Sequence, residues 1–201
     1  MIKDISFFAT DFYILRLRSR KERWEEVLNT QITVTQWYDD YGEAVFTYIL
    51  MMVKDYQQAE DLTQETFLKA YRKHHTFSHK SSMKTWLFSI AQNTTKDYLR
   101  KKNPLRNYLS LTLNEQDAAP LPHQLMEMNE QEIVLFRALQ NLKSNYRQVI
   151  ILRKLKEFST KETAEVLDWS ESKVKSTLLR GLKELKNILI EGGFEYEAII
   201  R

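Results

Sequence analysis

The stretch Leu139–Ile190 reads LQNLKSNYRQVIILRKLKEFSTKETAEVLDWSESKVKSTLLRGLKELKNILI, and its punctuation decides the fold of the C-terminal part. Ser159-Thr160-Lys161-Glu162 has the form of a capping box, in which a hydroxyl and a carboxylate satisfy each other's backbone N–H groups and start a helix crisply. Ala164 and Leu167 lie on that helix. Asp168 falls at a tight turn where a left-handed residue is expected, a conformation Asp tolerates better than most. Ser170 can cap the next helix, which turns Val174, Leu178, Leu182 and Leu185 inward. Two helices meeting at a short turn, with small Ala164 permitting a close crossing, form a helix-turn-helix pattern. In that motif the second helix enters the major groove and its N-terminal residues meet the bases. Here those residues are Ser170, Glu171, Ser172, Lys173, Lys175 and Ser176, whose hydroxyls, carboxylate and ammonium groups suit base edges and phosphates. Arg180 and Lys183, further along, suit backbone phosphates. An amphipathic helix with lysines on its wet face would show the same spacing, so the pattern alone leaves both readings open.

Working outward, Ile133, Phe136, Leu139 and Leu142 form one apolar face, and Tyr146, Val149, Ile150 and Leu152 another. Upstream, Trp37, Tyr41, Val45, Tyr48, Ile49 and Met52 recur at three- and four-residue steps, as on one amphipathic helix. Val53-Lys54-Asp55-Tyr56 breaks it. A second helix runs from near Gln57 to about His74 with Ala59, Leu62, Phe67, Ala70 and Tyr71 inward and Asp61, Gln64, Glu65 and Lys69 outward. After a polar loop from Phe77 to Met83, a third carries Trp86, Leu87, Ile90, Ala91, Tyr98 and Leu99. It ends in Arg100-Lys101-Lys102, cations that suit a helix C-terminus, before Asn103-Pro104. All three prolines (Pro104, Pro120, Pro122) fall in one acidic, Ala-containing stretch, which reads as a linker.

The expected architecture is therefore all-α: two small helical domains on a flexible linker. Residues 34–103 form the first domain, 104–129 the linker and 130–191 the second, with an N-terminal extension over 1–33 and a tail over 192–201.

Composition agrees. The 201 residues hold only 4 Gly and 3 Pro, which argues against a sheet protein. The net charge of +3 does not by itself announce a nucleic-acid binder, so the placement of the basic residues carries the weight. With no cysteine, a disulfide framework and thiolate metal sites are excluded. No apolar run approaches the roughly 20 residues that span a bilayer. The N-terminal FFATDFYILRL is interrupted by Asp11 and Arg16 and followed by basic residues, which makes a poor signal peptide. His74, His75 and His79 lack the HExxH spacing of a zinc site, and His123 lies in the linker. No phosphate loop or nucleophile elbow is present, so no catalysis, cofactor or metal is expected.

Two blocks together make a resemblance specific. Ala59-Glu60-Asp61-Leu62-Thr63-Gln64-Glu65-Thr66-Phe67, with Phe77-Ser78-His79-Lys80-Ser81-Ser82 and Lys84-Thr85-Trp86-Leu87 after it, resembles region 2 of the extracytoplasmic-function sigma factors of the bacterial sigma-70 family. SESKVK with the nearby RGLK resembles their region 4. The likeness covers about residues 36–102 and 132–190, in the family's order. It implies a protein that binds core RNA polymerase, reads the promoter −35 element as duplex and captures the −10 element as a single strand.

By that resemblance, Asp61, Gln64 and Glu65 form a polar face docking on the clamp helices of the polymerase large subunit, with Leu62 and Phe67 as its packing. The −10 element falls to the loop Phe77, Ser78, His79, Lys80 and Ser81 and to the helix face Asn93, Lys96, Asp97 and Arg100. In the family this loop holds one flipped base. Trp86, at helical spacing with Ile90, reads as core rather than as a base platform. The resemblance further implies an acidic linker threading polymerase channels. It also implies an anti-sigma factor, often membrane-anchored, as partner, a cytoplasmic location and no stable homo-oligomer. Residues 1–33 are extra to the family: a misassigned start, a docking arm, or a membrane-surface helix built on Phe12, Ile14 and Leu15. Two other classes remain open: a dimeric helix-turn-helix regulator, which gives Asp61–Glu65 no role, and a helical protein–protein adaptor.

Overall fold

The computed structural model describes residues 20–77, 80–102 and 130–194, with side chains from Val34 onward. The linker, most of the N-terminal extension, Ser78, His79 and residues 195–201 lie outside the described residues. The described elements are all helical. They are α1 (Arg20–Val53), α2 (Tyr56–Lys73), α3 (Met83–Lys102), α4 (Glu130–Gln140), α5 (Ser144–Ile150), α6 (Thr160–Leu167) and α7 (Glu171–Glu191). A 3₁₀ turn, His74–Thr76, follows α2, and a π-helical turn, Ile151–Leu155, continues α5.

Helix α1 is a single element that begins at Arg20, upstream of the apolar pattern. It stops where Lys54 takes a left-handed φ of 63°. Asp55 then caps α2, its side chain accepting from the Gln58 N–H at 3.0 Å. The inward faces follow the periodicity: Val45, Tyr48, Ile49, Ala59, Leu62, Phe67 and Ala70 are buried. In α4 the face is shifted. Ile133 and Phe136 are only half-buried, and Val134, Leu135, Ala138 and Leu139 pack toward the core. Arg147 stands at the end of that helix. Buried beneath α4, it donates to the carbonyls of Leu139, Gln140 and Leu142 at 2.8–2.9 Å and ties down the end of that helix. Gly181 lets α7 approach α5, since a Cβ there would lie 3.1 Å from Tyr146 Cβ and 3.2 Å from Ile150 Cδ1.

The two sequence blocks pack against each other through α3 and α6. Phe88 and Phe158 meet edge to face at 4.8 Å. The Lys84 ammonium donates to the Lys156 carbonyl at 2.7 Å and lies 4.7 Å from the Phe158 ring centre. Burial pushes the Lys156 ammonium pKa down; the Glu43 charge opposes this and Lys84 adds to it. On the other side of the contact, Gln140 Nε2 donates to the Met51 carbonyl at 3.0 Å.

The centre of this contact is a buried polar chain. The Tyr48 hydroxyl donates to Gln92 Oε1, and Gln92 Nε2 donates to Gln148 Oε1 at 2.9 Å. Burial pushes the Tyr48 pKa upward, so its hydroxyl keeps its proton and remains a donor. An unpaired buried polar group costs about 1–3 kcal/mol. Gln92→Ala, which orphans both neighbours, is expected to lower stability by roughly that amount, seen as a lower urea midpoint of the full chain. Combining Tyr48→Phe, Gln92→Leu and Gln148→Leu is expected to recover most of the loss. An unchanged midpoint in Gln92→Ala would show that the chain contributes nothing.

Candidate polymerase and promoter surfaces

Helix α2 divides its polar residues between two faces. Thr63 and Thr66 are buried, their hydroxyls donating to the carbonyls of Ala59 and Leu62 at 2.7 Å, so they need no outside partner. Asp61, Gln64 and Glu65 face solvent. Glu65 pairs with Lys69 at 2.8 Å, and Lys69 also donates to Thr94 on α3 at 3.1 Å, which orients one end of the stripe. Leu62 and Phe67 are 3% and 4% exposed, so they hold this face from beneath and meet no partner directly. Phe67 packs edge to face against Tyr38 of α1 at 5.0 Å.

The loop before α3 borders an open cleft of about 400 Å³ lined by Gln36, Trp37, Asp40, Tyr41, Phe77 and Ser81 to Met83. Lys80 is exposed beside it. Trp86 stands behind, with Phe77 at 5.2 Å and Trp37 at 5.8 Å between ring centres. It is half-buried and packed against the core, as its helical spacing suggests, yet it also braces two of the cleft's aromatic walls. Ser82 caps α3, accepting from the Thr85 N–H at 3.1 Å. Along α3, Asn93, Lys96 and Arg100 are exposed, and Arg100 pairs with the half-buried Asp97 at 3.1 Å. Two of the loop's sequence candidates, Ser78 and His79, lie outside the described residues. The walls from α1 were missed because Trp37 and Tyr41 fit the core periodicity. The cue available was Gln36 and Asp40, polar residues bracketing an aromatic at the same helical steps.

The helix-turn-helix is built as its sequence dictates. Ser159 Oγ accepts from the Glu162 N–H at 3.1 Å, and the Ser159 N–H donates to Glu162 Oε2 at 2.8 Å, closing the capping box. Asp168 takes the left-handed conformation, with φ 54° and ψ 51°. Ser170 Oγ accepts from the Lys173 N–H at 3.2 Å and starts α7. Glu171, Ser172, Lys173, Lys175 and Arg180 are exposed and Ser176 is half-buried. The Lys173 ammonium sits 3.9 Å from the Trp169 ring centre, a cation–π contact the sequence did not disclose.

Among the described residues no group of three or more His, Cys, Asp or Glu could hold a metal ion. The His74 ring Nδ1 is instead 2.8 Å from the Tyr71 carbonyl. No described helix is long and apolar enough to cross a membrane.

Comparison with known proteins accounts for both halves. Residues 37–104 match the family model of sigma-70 region 2, and residues 132–185 match that of sigma-70 region 4. The ECF RNA polymerase sigma factor SigX of Bacillus subtilis is 39% identical over 154 residues, covering 74% of this chain and 79% of SigX. SigM of the same organism is 34% identical over 168 residues, covering 80% and 98% of the two chains. The chain belongs to the extracytoplasmic-function sigma factors. It is a factor that directs transcription initiation, a role in which sigma factors are not themselves enzymes. The sigma factor RpoE of Bartonella quintana, solved with the anti-sigma factor NepR, shares the fold at a TM-score of 0.63 and 24% identity. That match covers 78% of this chain and 96% of RpoE.

In this sigma factor the start of α6, the first helix of the helix-turn-helix, rests on the capping box. Glu162 lies below its ordinary carboxyl pKa because Ser159 bonds it, first with the side chain and then with the backbone. Burial opposes the shift, while the Thr85 hydroxyl and the Lys84 charge support it. A carboxylate depressed in the fold stabilises above its unfolded pKa, and that contribution drains away as pH falls through the folded value. Ser159→Ala is expected to cost about 1 kcal/mol at neutral pH. The gap from wild type should narrow as the pH falls below the ordinary carboxylate range, measured by urea melts across pH. A gap independent of pH would remove Glu162 from the box.

Proposed function

We propose that the two halves divide promoter recognition and share polymerase binding. The exposed row Asp61, Gln64 and Glu65 docks on a basic helical surface of core RNA polymerase, supported by Leu62 and Phe67. Clustered carboxylates and an amide offer acceptors to guanidinium groups, which bond them strongly and in fixed geometry. Helix α7 reads the −35 duplex: Ser170, Glu171, Ser172, Lys173, Lys175 and Ser176 face base edges and nearby phosphates, and Arg180 a phosphate. The −10 strand, once open, runs over Phe77, Ser78, His79, Lys80 and Ser81 and along Asn93, Lys96, Asp97 and Arg100. Aromatic walls beside a basic track are the chemistry that captures single strands.

The observation that carries this reading is the pairing, in one chain, of the capped helix α7, exposed along its outer side, with an open cleft walled by Trp37, Tyr41 and Phe77. A stand-alone helix-turn-helix regulator would have use for the first and none for the second. Each half alone offers a modest surface, so affinity for promoter and polymerase comes from linkage of the two through the chain between them. The solved RpoE and CnrH structures contain anti-sigma partners, NepR and the cytosolic domain of CnrY. An anti-sigma factor is the corresponding partner here. The sigma factor acts in the cytoplasm without forming a stable homo-oligomer.

Run-off transcription tests the whole. Core polymerase with this protein is expected to start at discrete sites on genomic fragments that include its own upstream region, and core alone is not. Failure to bind core at all would move the assignment to a DNA-binding regulator.

Two sets of variants test the parts. Asp61→Arg with Glu65→Arg is expected to lower core affinity at least ten-fold, the equivalent of about 1.4 kcal/mol, with unchanged circular dichroism. Undiminished affinity would reject the docking face. Lys175→Ala, if the side chain meets a base, should relax preference at one −35 position by about 1–3 kcal/mol. If it meets a phosphate, all sequences should weaken alike. Lys173→Ala is expected to behave in the second way, because its ammonium is held against Trp169. Binding unchanged in both variants would disprove the assignment of α7.

A further inference from the structure

Leu179 is 74% exposed, more than any other large apolar side chain among the described residues. One exposed leucine on a protein surface needs no explanation by itself. Its position is what calls for one. At about 100° per residue, Leu179 lies at the middle of the outward row of α7, directly opposite the buried Thr177 and Gly181. Ser172, Lys175, Ser176, Lys183 and Lys186 share that row at three- and four-residue steps, while Glu184 and Glu191 lie well around the helix from it. Ile190, 56% exposed, falls on the same face near the far end of α7; nearer to Leu179 the exposed neighbours are cations and hydroxyls beside the half-buried Leu182, which match an anionic partner. Leu179 also sits about 12 Å along the axis from Glu171 at 1.5 Å per residue, within the span of a helix lying in a major groove about 12 Å wide.

The major-groove edge of duplex DNA offers one apolar group, the C5-methyl of thymine, and apolar side chains contact it. We propose that Leu179 reads a thymine methyl in the −35 duplex and so sets sequence preference at that position. This inference rests on the assignment of α7 as the −35 reader. Lysines and serines on either side hold the helix on phosphates and polar base edges. Leu179 supplies what they cannot, discrimination between bases that differ by a methyl group. The leucine stays exposed in the free protein because its partner surface is in the DNA.

The test removes the methyl from the DNA and the side chain from the protein. The full chain with core polymerase selects its duplex from a library with randomised base pairs. Each thymine of the selected −35 element is then replaced singly by deoxyuridine, which lacks only the methyl. For wild type, one such replacement is expected to weaken binding about four-fold, the worth of one buried methyl group. Leu179→Ala should bind the thymine and deoxyuridine duplexes alike, and Leu179→Met, which keeps an apolar side chain of similar size, should retain the preference.

Equal methyl sensitivity in wild type and Leu179→Ala overturns the proposal, as does a selected element in which no thymine is methyl-sensitive. A Leu179→Ala protein that loses core affinity with its methyl preference intact overturns it too, and assigns the side chain to a protein partner. A library from which no sequence is selected overturns the promoter reading of α7, and this proposal with it. That outcome is distinct from a selected element without methyl dependence, which rejects Leu179 alone.

Discussion

The pairing of Gln92 with Gln148 is the contact on which the arrangement of the described helices depends. Apolar burial alone would let α3 slide or rotate on its neighbours with little change in energy, because it has no direction. An amide buried against another amide does have direction. With Tyr48 filling the acceptor of Gln92 and Gln148 filling its donor, only one register leaves all three groups satisfied. Around that fixed point, Phe88 on Phe158 and Lys84 on the Lys156 carbonyl add area and charge.

A second constraint works within the helices. The core holds several threonines, among them Thr63, Thr66, Thr94, Thr95 and Thr177, and also Thr163, whose buried hydroxyl has no hydrogen-bond partner. Buried hydroxyls ordinarily demand partners on neighbouring elements. Here Thr63, Thr66 and Thr95 donate to the carbonyls four residues back on their own helices. Each then presents a methyl to its neighbours and takes little volume, so helices can approach closely without an unsatisfied group. Gly181 does the same for α5 and α7 by absence of a side chain. The consequence is positional: α7 is held by its inner face, with Val174, Thr177, Gly181, Leu185 and Leu189 buried.

How much of this was legible beforehand follows from the range of each interaction. Ser159 with Glu162, Asp168 and Ser170 act within four residues of themselves, so their roles could be read from local spacing, and the structure bears them out. The helix faces of α2 and α7 were legible because periodicity reports burial directly. Interactions across the chain left no such trace. Gln92 and Gln148 looked like any amides on helices, and nothing local marks Arg147 as the residue that ends α4. The cleft was half legible. Its loop stood out as polar, but Trp37 and Tyr41 obey the core period, and only the packing of α1 beside Phe77 and Trp86 makes them walls. Leu179 escaped for the opposite reason: sequence reading assigns leucines to the interior, and its exposure contradicts that habit.

The modest net charge of +3 says nothing of where the exposed charges stand. Asp61 and Glu65 are exposed on α2 and Lys173, Lys175 and Lys183 on α7, and each helix also carries charges of the opposite sign. Charges farther apart than about 8 Å are largely screened from each other at physiological salt. Each patch therefore presents its own field to whatever approaches it. A uniformly basic protein of this size would bind any nucleic acid through phosphate contacts alone, with little selectivity. In the proposed division of labour, Lys173, Lys175 and Arg180 on α7 serve DNA, and Asp61 and Glu65 on α2 serve a basic protein partner. In that proposal, hydroxyls and one leucine among the lysines of α7 shift its contacts from charge toward base identity.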